Sequence, residues 1–185
     1  EVSNGMVFSL IQIVCLIPVV FGSIYGLLCL LALLQFRWNA SYWVTRTFAQ
    51  WPPVTILKPV CGLEKNLAEN LRSTCRQDYP NFQVVFSVQR TDDPAISLLY
   101  ALQKEFGSDR VTVAIETFNT GPNGKINNLI GGLKHALHGL LVISDSDIRL
   151  RPDYLKTIVA PLADPDVGFV CTLYKARDAG TWFEA

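Results

Sequence analysis

Charge is what this chain is short of. Only 17% of its 185 residues are Asp, Glu, Lys or Arg, and 16 basic side chains offset 16 acidic ones. A chain without net charge has no bulk attraction for a polyanion, so nucleic acid is excluded as a partner. Half of the residues are hydrophobic and the mean hydropathy is positive, which excludes a disordered polar tail. The five cysteines, Cys15, Cys29, Cys61, Cys75 and Cys171, never form a C-x-x-C pair. That spacing is neither a disulfide framework nor a zinc site; it suits a reducing compartment, with the thiols expected as small apolar packing. G-x-S-x-G, G-x-G-x-x-G and any familiar Cys–His spacing are also missing, so hydrolase and dinucleotide readings fall away. No internal repeat or heptad run competes with a globular reading.

The missing charge is concentrated at one end. No charged residue lies between Glu1 and Arg37, and Met6–Phe36 is an almost unbroken apolar run. About 20 such residues cross a hydrocarbon core, so residues 1–36 are expected to form one transmembrane helix, with Pro18 tolerated inside it. A cleaved signal would need a basic leading segment, a short apolar stretch and a small-residue cleavage site, and none of these is present. Arg37 and Arg46 follow the span, with Trp38, Tyr42, Trp43 and Trp51 as expected interfacial aromatics. This bias puts the remainder on the cytoplasmic face: a juxtamembrane linker, 37–53, and a domain over 54–185, large enough for one core.

The rest alternates strand and helix. Strands are predicted at Val54–Lys58, Phe82–Val88, Val111–Ile115, Leu140–Ser144 and Val167–Thr172. Helices are predicted between them, at Asn66–Gln77, Pro94–Phe106, Lys125–Leu137 and Pro152–Leu162. Leu140–Ser144 is apolar on both faces and reads as a strand covered on both sides. The alternation predicts an α/β fold, an open and mostly parallel sheet wrapped by helices, whose ligands sit beyond the carboxyl ends of the strands.

Three of the loops at those ends carry chemistry. After the fourth strand comes Ser144-Asp145-Ser146-Asp147. In an extended segment residues two apart point the same way, so Asp145 and Asp147 can aim two carboxylates at one point. Their mutual repulsion calls for a hard divalent cation, Mg²⁺ or Mn²⁺, that also takes substrate phosphates. After the second strand, Asp92 and Asp93 precede Pro94; one can accept hydrogen bonds from a nucleotide, and either can cap the next helix. After the third strand, Gly121, Gly124 and Lys125 open a helix, an arrangement that binds anions. It is not a Walker loop, because Asn119 stands where glycine is needed and Ile126 where Ser or Thr follows the lysine. Asn127 and Asn128 are poor helix formers, which points to hydrogen bonding by their side chains. His135 and His138 have no acidic partner nearby in sequence and are expected to be a partly exposed structural pair.

Together these segments resemble a family 2 glycosyltransferase, most closely the ceramide glucosyltransferase branch. The resemblance rests on Leu57-Lys58-Pro59 with Gly62, Asp78-Tyr79-Pro80, Val88-Gln89 through Asp92-Asp93-Pro94-Ala95-Ile96, Lys125-Ile126-Asn127-Asn128-Leu129, and Asp145-Ser146-Asp147-Ile148-Arg149 with Pro152-Asp153. It implies a GT-A, Rossmann-like fold that transfers a hexose, with glucose the first choice, from a UDP-sugar to a lipid acceptor such as ceramide, with inversion. By position it implies that Asp93, with Asp92 beside it, binds the nucleotide, that Lys125 and Asn128 contact the nucleotide-sugar, and that Asp145 and Asp147 hold the metal and diphosphate.

The resemblance also implies a third acidic motif with the general base and a Q-x-x-R-W segment, and neither occurs before Ala185. No catalytic base is therefore expected within the chain, which reads as the N-terminal portion of an enzyme. The alternative is a membrane-anchored nucleotide-sugar-binding subunit without turnover. A nucleotidyltransferase would need a glycine-rich basic loop after the first strand, where Val60-Cys61-Gly62-Leu63 offers one glycine.

Overall fold

Every side chain of Val54–Pro59 is buried, and so is every one of Phe82–Val88. Two adjacent segments with no water-tolerant face can only be central strands covered on both sides. In the computed structural model, which describes residues 2–117 and 119–175, they are β1 (Val54–Pro59) and β2 (Phe82–Val88), with β3 (Val111–Ile115) and β4 (Leu140–Ile143) outside them. The sheet order is β3-β2-β1-β4, all parallel, with Val54 opposite both Phe82 and Leu140 and Val84 opposite Val111. The chain builds outward from β1 to β3, then crosses back to add β4 on the other side of β1. The topological switch point is therefore between β1 and β4.

Helices α2 (Leu67–Cys75), α3 (Ile96–Phe106) and α5 (Tyr154–Val159, continuing as a 3₁₀ turn to Ala163) contribute Leu71, Leu99, Leu102, Leu155 and Val159 to a core with Ile56, Val84 and Phe86. Helix α4 (Gly124–Leu133) packs on the opposite face, where Leu129 meets Leu57, Val85 and Ala114. Strand alternation explains the division, because successive side chains of one strand point to opposite layers.

The expected α/β fold with a parallel sheet is present. β2 and β3 have the predicted bounds, and the helices differ at their ends. α4 stops at Leu133 rather than Leu137 because the backbone N–H groups of Leu137 and His138 donate to Gln83 Oε1 at 2.9 Å and Thr55 Oγ1 at 3.1 Å. Buried polar side chains of the sheet thus take over from the helix ladder. β4 is an edge strand among the described residues, with Leu141 and Ile143 exposed, which corrects the reading of a strand covered on both faces. Val167–Thr172 is not a strand: it makes no ladder with β4, although both line one groove, and Phe169 is 81% exposed. Alternating apolar residues become a strand only where a neighbouring backbone meets their N–H and C=O groups.

Residues 2–44 form a single helix, α1 (Val2–Val44), continuous through Pro18. Val14–Asn39 is long and apolar enough to cross a membrane. The helix extends eight residues beyond the predicted anchor, and Thr47 begins the second compact unit. The predicted linker therefore divides. Its end belongs to the α/β unit, where Trp51 lies 5.7 Å from the Tyr79 ring and Tyr79 Oη donates to the Pro52 carbonyl at 2.7 Å. Trp51 packs on the α/β core. In the α/β unit Cys75 is buried, as the expectation of apolar packing requires, whereas Cys61 and Cys171 are exposed; Cys15 and Cys29 lie on the long apolar helix.

Candidate functional site

An open cleft of about 390 Å³ lies at the carboxyl ends of β1, β2 and β4. That size suits a small-molecule ligand. Pro59 lines it from the end of β1, Val60, Cys61 and Glu64 from the loop that follows, and Gln89, Arg90 and Asp93 from the loop after β2. Gly124, Lys125 and Asn128 enter from the first turns of α4, and Asp145, Ser146 and Asp147 from the loop after β4.

The two aspartates after β2 have separate environments. Asp93 is buried and accepts from the Gly62 amide at 3.0 Å and from the Ala95 amide at 2.9 Å. It closes the turn before α3 and also ties the β1 loop, where Gly62 has φ +68°, a conformation that favours glycine. Asp92 is exposed, pairs with Arg90 at 2.7 Å and is not among the cleft-lining residues. That Arg90 hydrogen bond holds the Asp92 carboxyl below its ordinary range.

The asparagines divide their work as well. Asn123 caps α4 by accepting from the Ile126 amide at 3.2 Å. Asn127 holds the preceding loop, donating to Asn119 Oδ1 at 3.0 Å and the Gly121 carbonyl at 2.8 Å while accepting from the Thr120 amide at 3.0 Å. Asn128 donates to the Val60 carbonyl at 3.1 Å, and its buried Oδ1 has no hydrogen-bond partner. A buried orphan acceptor at a cleft wall is suited to a ligand N–H or O–H group.

Asp145 and Asp147 both line the cleft, as expected, but by a different geometry. The segment is a turn, closed by the Ile148 amide donating to the Asp145 carbonyl at 3.3 Å, so strand alternation does not set the direction of the carboxylates. Lys125 Nζ lies 2.6 Å from Asp145 Oδ1, and this hydrogen bond raises the lysine pKa. Asp147 presents its carbonyl to Asn70 Nδ2 at 3.0 Å. Two carboxylates, with phosphate oxygens supplied by a substrate, meet the needs of Mg²⁺ or Mn²⁺. Among the described residues no group of three His, Cys, Asp or Glu side chains converges. The donor set thus fits a metal shared with a ligand and not one held by protein alone.

Sequence reasoning gave Lys58 no role. It lies on β1, fully buried, and donates to Ser144 Oγ at 3.1 Å, the Asp145 carbonyl at 2.6 Å and the Ile148 carbonyl at 3.3 Å. Burial pushes its pKa down to about 8, against the opposing pull of Asp147 and Asp145. The signal was a lone charge inside an apolar strand, since lysine is almost never fully buried without partners. The fold also supplies the acidic neighbour that the sequence did not show for His135: Glu116 Oε1, from the end of β3, lies 3.0 Å from its Nε2.

A parallel sheet with a cleft of acidic and basic side chains at its switch point defines an α/β domain with a polar ligand-sized cleft. Comparison with known proteins narrows the class. The chain matches the family described as "Glycosyl transferase family 21" over residues 14–185. It is 34% identical over 102 residues to ceramide glucosyltransferase 1 of Caenorhabditis elegans, covering 55% of this chain and 22% of that protein. A ceramide glucosyltransferase of Gibberella zeae is 32% identical over 134 residues, covering 67% of this chain and 25% of the relative. The α/β architecture is similar to that of the mannosyltransferase PcManGT from Pyrobaculum calidifontis, solved in complex with GDP-Man and Mn²⁺: TM-score 0.57, 27% identity, covering 78% of this chain and 44% of that one. The chain belongs to glycosyl transferase family 21, and the resemblance to glycosyltransferases of the ceramide glucosyltransferase branch is borne out. It spans about a fifth to a quarter of the length of these curated relatives.

Proposed function

We propose that this chain is the donor-binding portion of a membrane glycosyltransferase that moves a hexose, glucose in the first instance, from a UDP-sugar to a lipid acceptor such as ceramide, with inversion. The observation that carries the reading is the convergence of Asp145, Asp147 and Lys125 in one cleft at the switch point of a parallel sheet. In this reading Asp145 and Asp147 hold Mg²⁺ or Mn²⁺, which neutralises diphosphate charge when bound. Lys125 and the positive end of α4 face the same phosphates. Asp93 and the free Asn128 Oδ1 accept hydrogen bonds from the nucleotide. The long apolar helix supports membrane attachment, and Arg37 and Arg46 after its span support a cytoplasmic cleft. The general base is left unassigned.

Calorimetric titration of UDP into the purified chain tests the reading. Binding is expected to need Mn²⁺ or Mg²⁺ and to be lost in Asp145→Asn. Metal-independent binding, or an Asp145→Asn variant with unchanged affinity, would sink it.

A further inference from the structure

Lys58 is the largest fully buried side chain in the described residues, and it lies below the cleft, outside its lining. Its ammonium has three N–H donors, and each has an acceptor: Ser144 Oγ, the Asp145 carbonyl and the Ile148 carbonyl. All three belong to the turn that carries Asp145 and Asp147. None is a carboxylate oxygen, so this cation does not occupy the groups that face the cleft. Nor is it needed to fill the core, where an apolar side chain of similar volume serves as well or better. The same turn is held from α2, where Asn70 Nδ2 donates to the Asp147 carbonyl and Ser73 Oγ accepts from the Leu150 amide at 2.9 Å. Those contacts hold the Asp147–Leu150 side of the turn; on the Asp145 side the Ser144 amide donates to the Leu57 carbonyl at 3.1 Å, and Lys58 grips the same end through Ser144 Oγ and the Asp145 carbonyl.

We propose that Lys58 is a positioning residue: its buried ammonium sets the fold of the Ser144–Ile148 turn and so the direction in which Asp145 and Asp147 face a divalent cation and a diphosphate. The second half of that statement rests on the donor-binding reading above. Removing the ammonium takes this donor from Ser144 Oγ and the Ile148 carbonyl and leaves the Asp145 carbonyl with only the Ile148 amide, at 3.3 Å. The turn then relaxes toward water, and the two carboxylates lose their common aim.

The test uses the full chain in detergent and two variants, Lys58→Met and the milder Ser144→Ala, which removes one acceptor and leaves the lysine in place. Two readouts are taken: UDP affinity with and without Mn²⁺, and backbone hydrogen exchange. Lys58→Met is expected to cut the Mn²⁺-dependent gain in UDP affinity by about tenfold or more, leaving metal-free affinity within about twofold. Exchange should rise at residues 145–150 and stay unchanged at 123–128. Ser144→Ala should move both readouts the same way by about two- to fivefold. Retention of the full Mn²⁺-dependent gain in either folded variant overturns the proposal, as does exchange that rises across the whole sheet. Should Lys58→Met fail to fold, Ser144→Ala decides alone. Should the unaltered chain bind UDP without regard to metal, the donor reading falls. Exchange then still decides the role of Lys58: a rise confined to the turn upholds it, and no rise there overturns it.

Discussion

Lys125 Nζ and Asp145 Oδ1 stand 2.6 Å apart across the cleft, one from the first turn of α4 and the other from the loop after β4. An ammonium and a divalent cation compete for the same carboxylate, and phosphate oxygens compete with that carboxylate for the ammonium. Lys125→Met is therefore expected to raise the affinity of the cleft for Mn²⁺ alone by a few-fold while lowering UDP affinity in the presence of metal by about tenfold. The pair itself adds only about 0–1 kcal/mol to stability, because both side chains are a third or more exposed. Titrations of Mn²⁺ and of UDP separate the two effects; a variant that weakens both equally would contradict the competition.

The two aspartates after β2 should part company on mutation. Asp93→Ala leaves the Gly62 and Ala95 amides without their acceptor and is expected to lower stability by about 1–3 kcal/mol and to weaken UDP binding. Asp92→Asn loses an exposed contact with Arg90 and should leave UDP affinity within about twofold. Thermal unfolding and nucleotide titration of both variants check this.

Helix α4 approaches the sheet through two glycines. A Cβ at Gly131 would stand 2.7 Å from Glu116 Cβ, and one at Gly132 would stand 2.9 Å from Ser87 Oγ and 3.0 Å from Ser87 Cβ. Replacing glycine by alanine gains about 1 kcal/mol of helix propensity, but overpacking costs about 1–3 kcal/mol. The contacts fall on rigid atoms close to the backbone, so overpacking wins. Gly131→Ala and Gly132→Ala should each lower the midpoint of thermal unfolding, and an unchanged or raised midpoint would contradict the packing.

The thiols should differ in reactivity and in pH response. Cys61 is exposed on the cleft wall, whereas burial pushes the Cys75 thiol up to about 12. At pH 8 an alkylating reagent should label Cys61 and spare Cys75, and bound UDP with Mn²⁺ should slow labelling at Cys61. For Cys75 the folded pKa lies above the unfolded value of 9.0. Its contribution to stability is therefore complete below pH 9 and declines as pH rises from about 9 towards 12, where the unfolded chain sheds a proton that the folded chain keeps. Cys75→Ala should flatten that part of the pH–stability curve relative to the unaltered chain.

The sheet was legible because its signal is local. The mostly apolar, β-branched and aromatic runs Phe82–Val88 and Val111–Ile115 stand in the residues themselves, and the turn residues between segments set most of their limits. The long apolar helix was legible for the same reason: a span of a hydrocarbon layer needs about 20 consecutive, predominantly apolar residues. Asp145, Asp147, Lys125, Asn128 and Asp93 were legible as candidates, since ligands in such sheets collect at the carboxyl ends of strands and those loops hold few chemically useful groups.

What required the tertiary structure is every relationship between segments distant in sequence. Lys58 and Ser144 lie 86 residues apart along the chain, and no periodicity predicts that a lysine in one strand will hold the turn after another. Asp92 and Asp93 are neighbours with the same carboxylate. The Gly62 and Ala95 amides draw Asp93 into a buried place in the cleft wall, while Asp92 faces solvent and pairs with Arg90. Val167–Thr172 has the composition of a strand and lacks a laddered neighbour. Composition determines which segments can be buried and which groups can bind charge. Pairing, burial and hydrogen-bond partners depend on what the rest of the fold brings to each site, and that exists only once the chain has closed on itself.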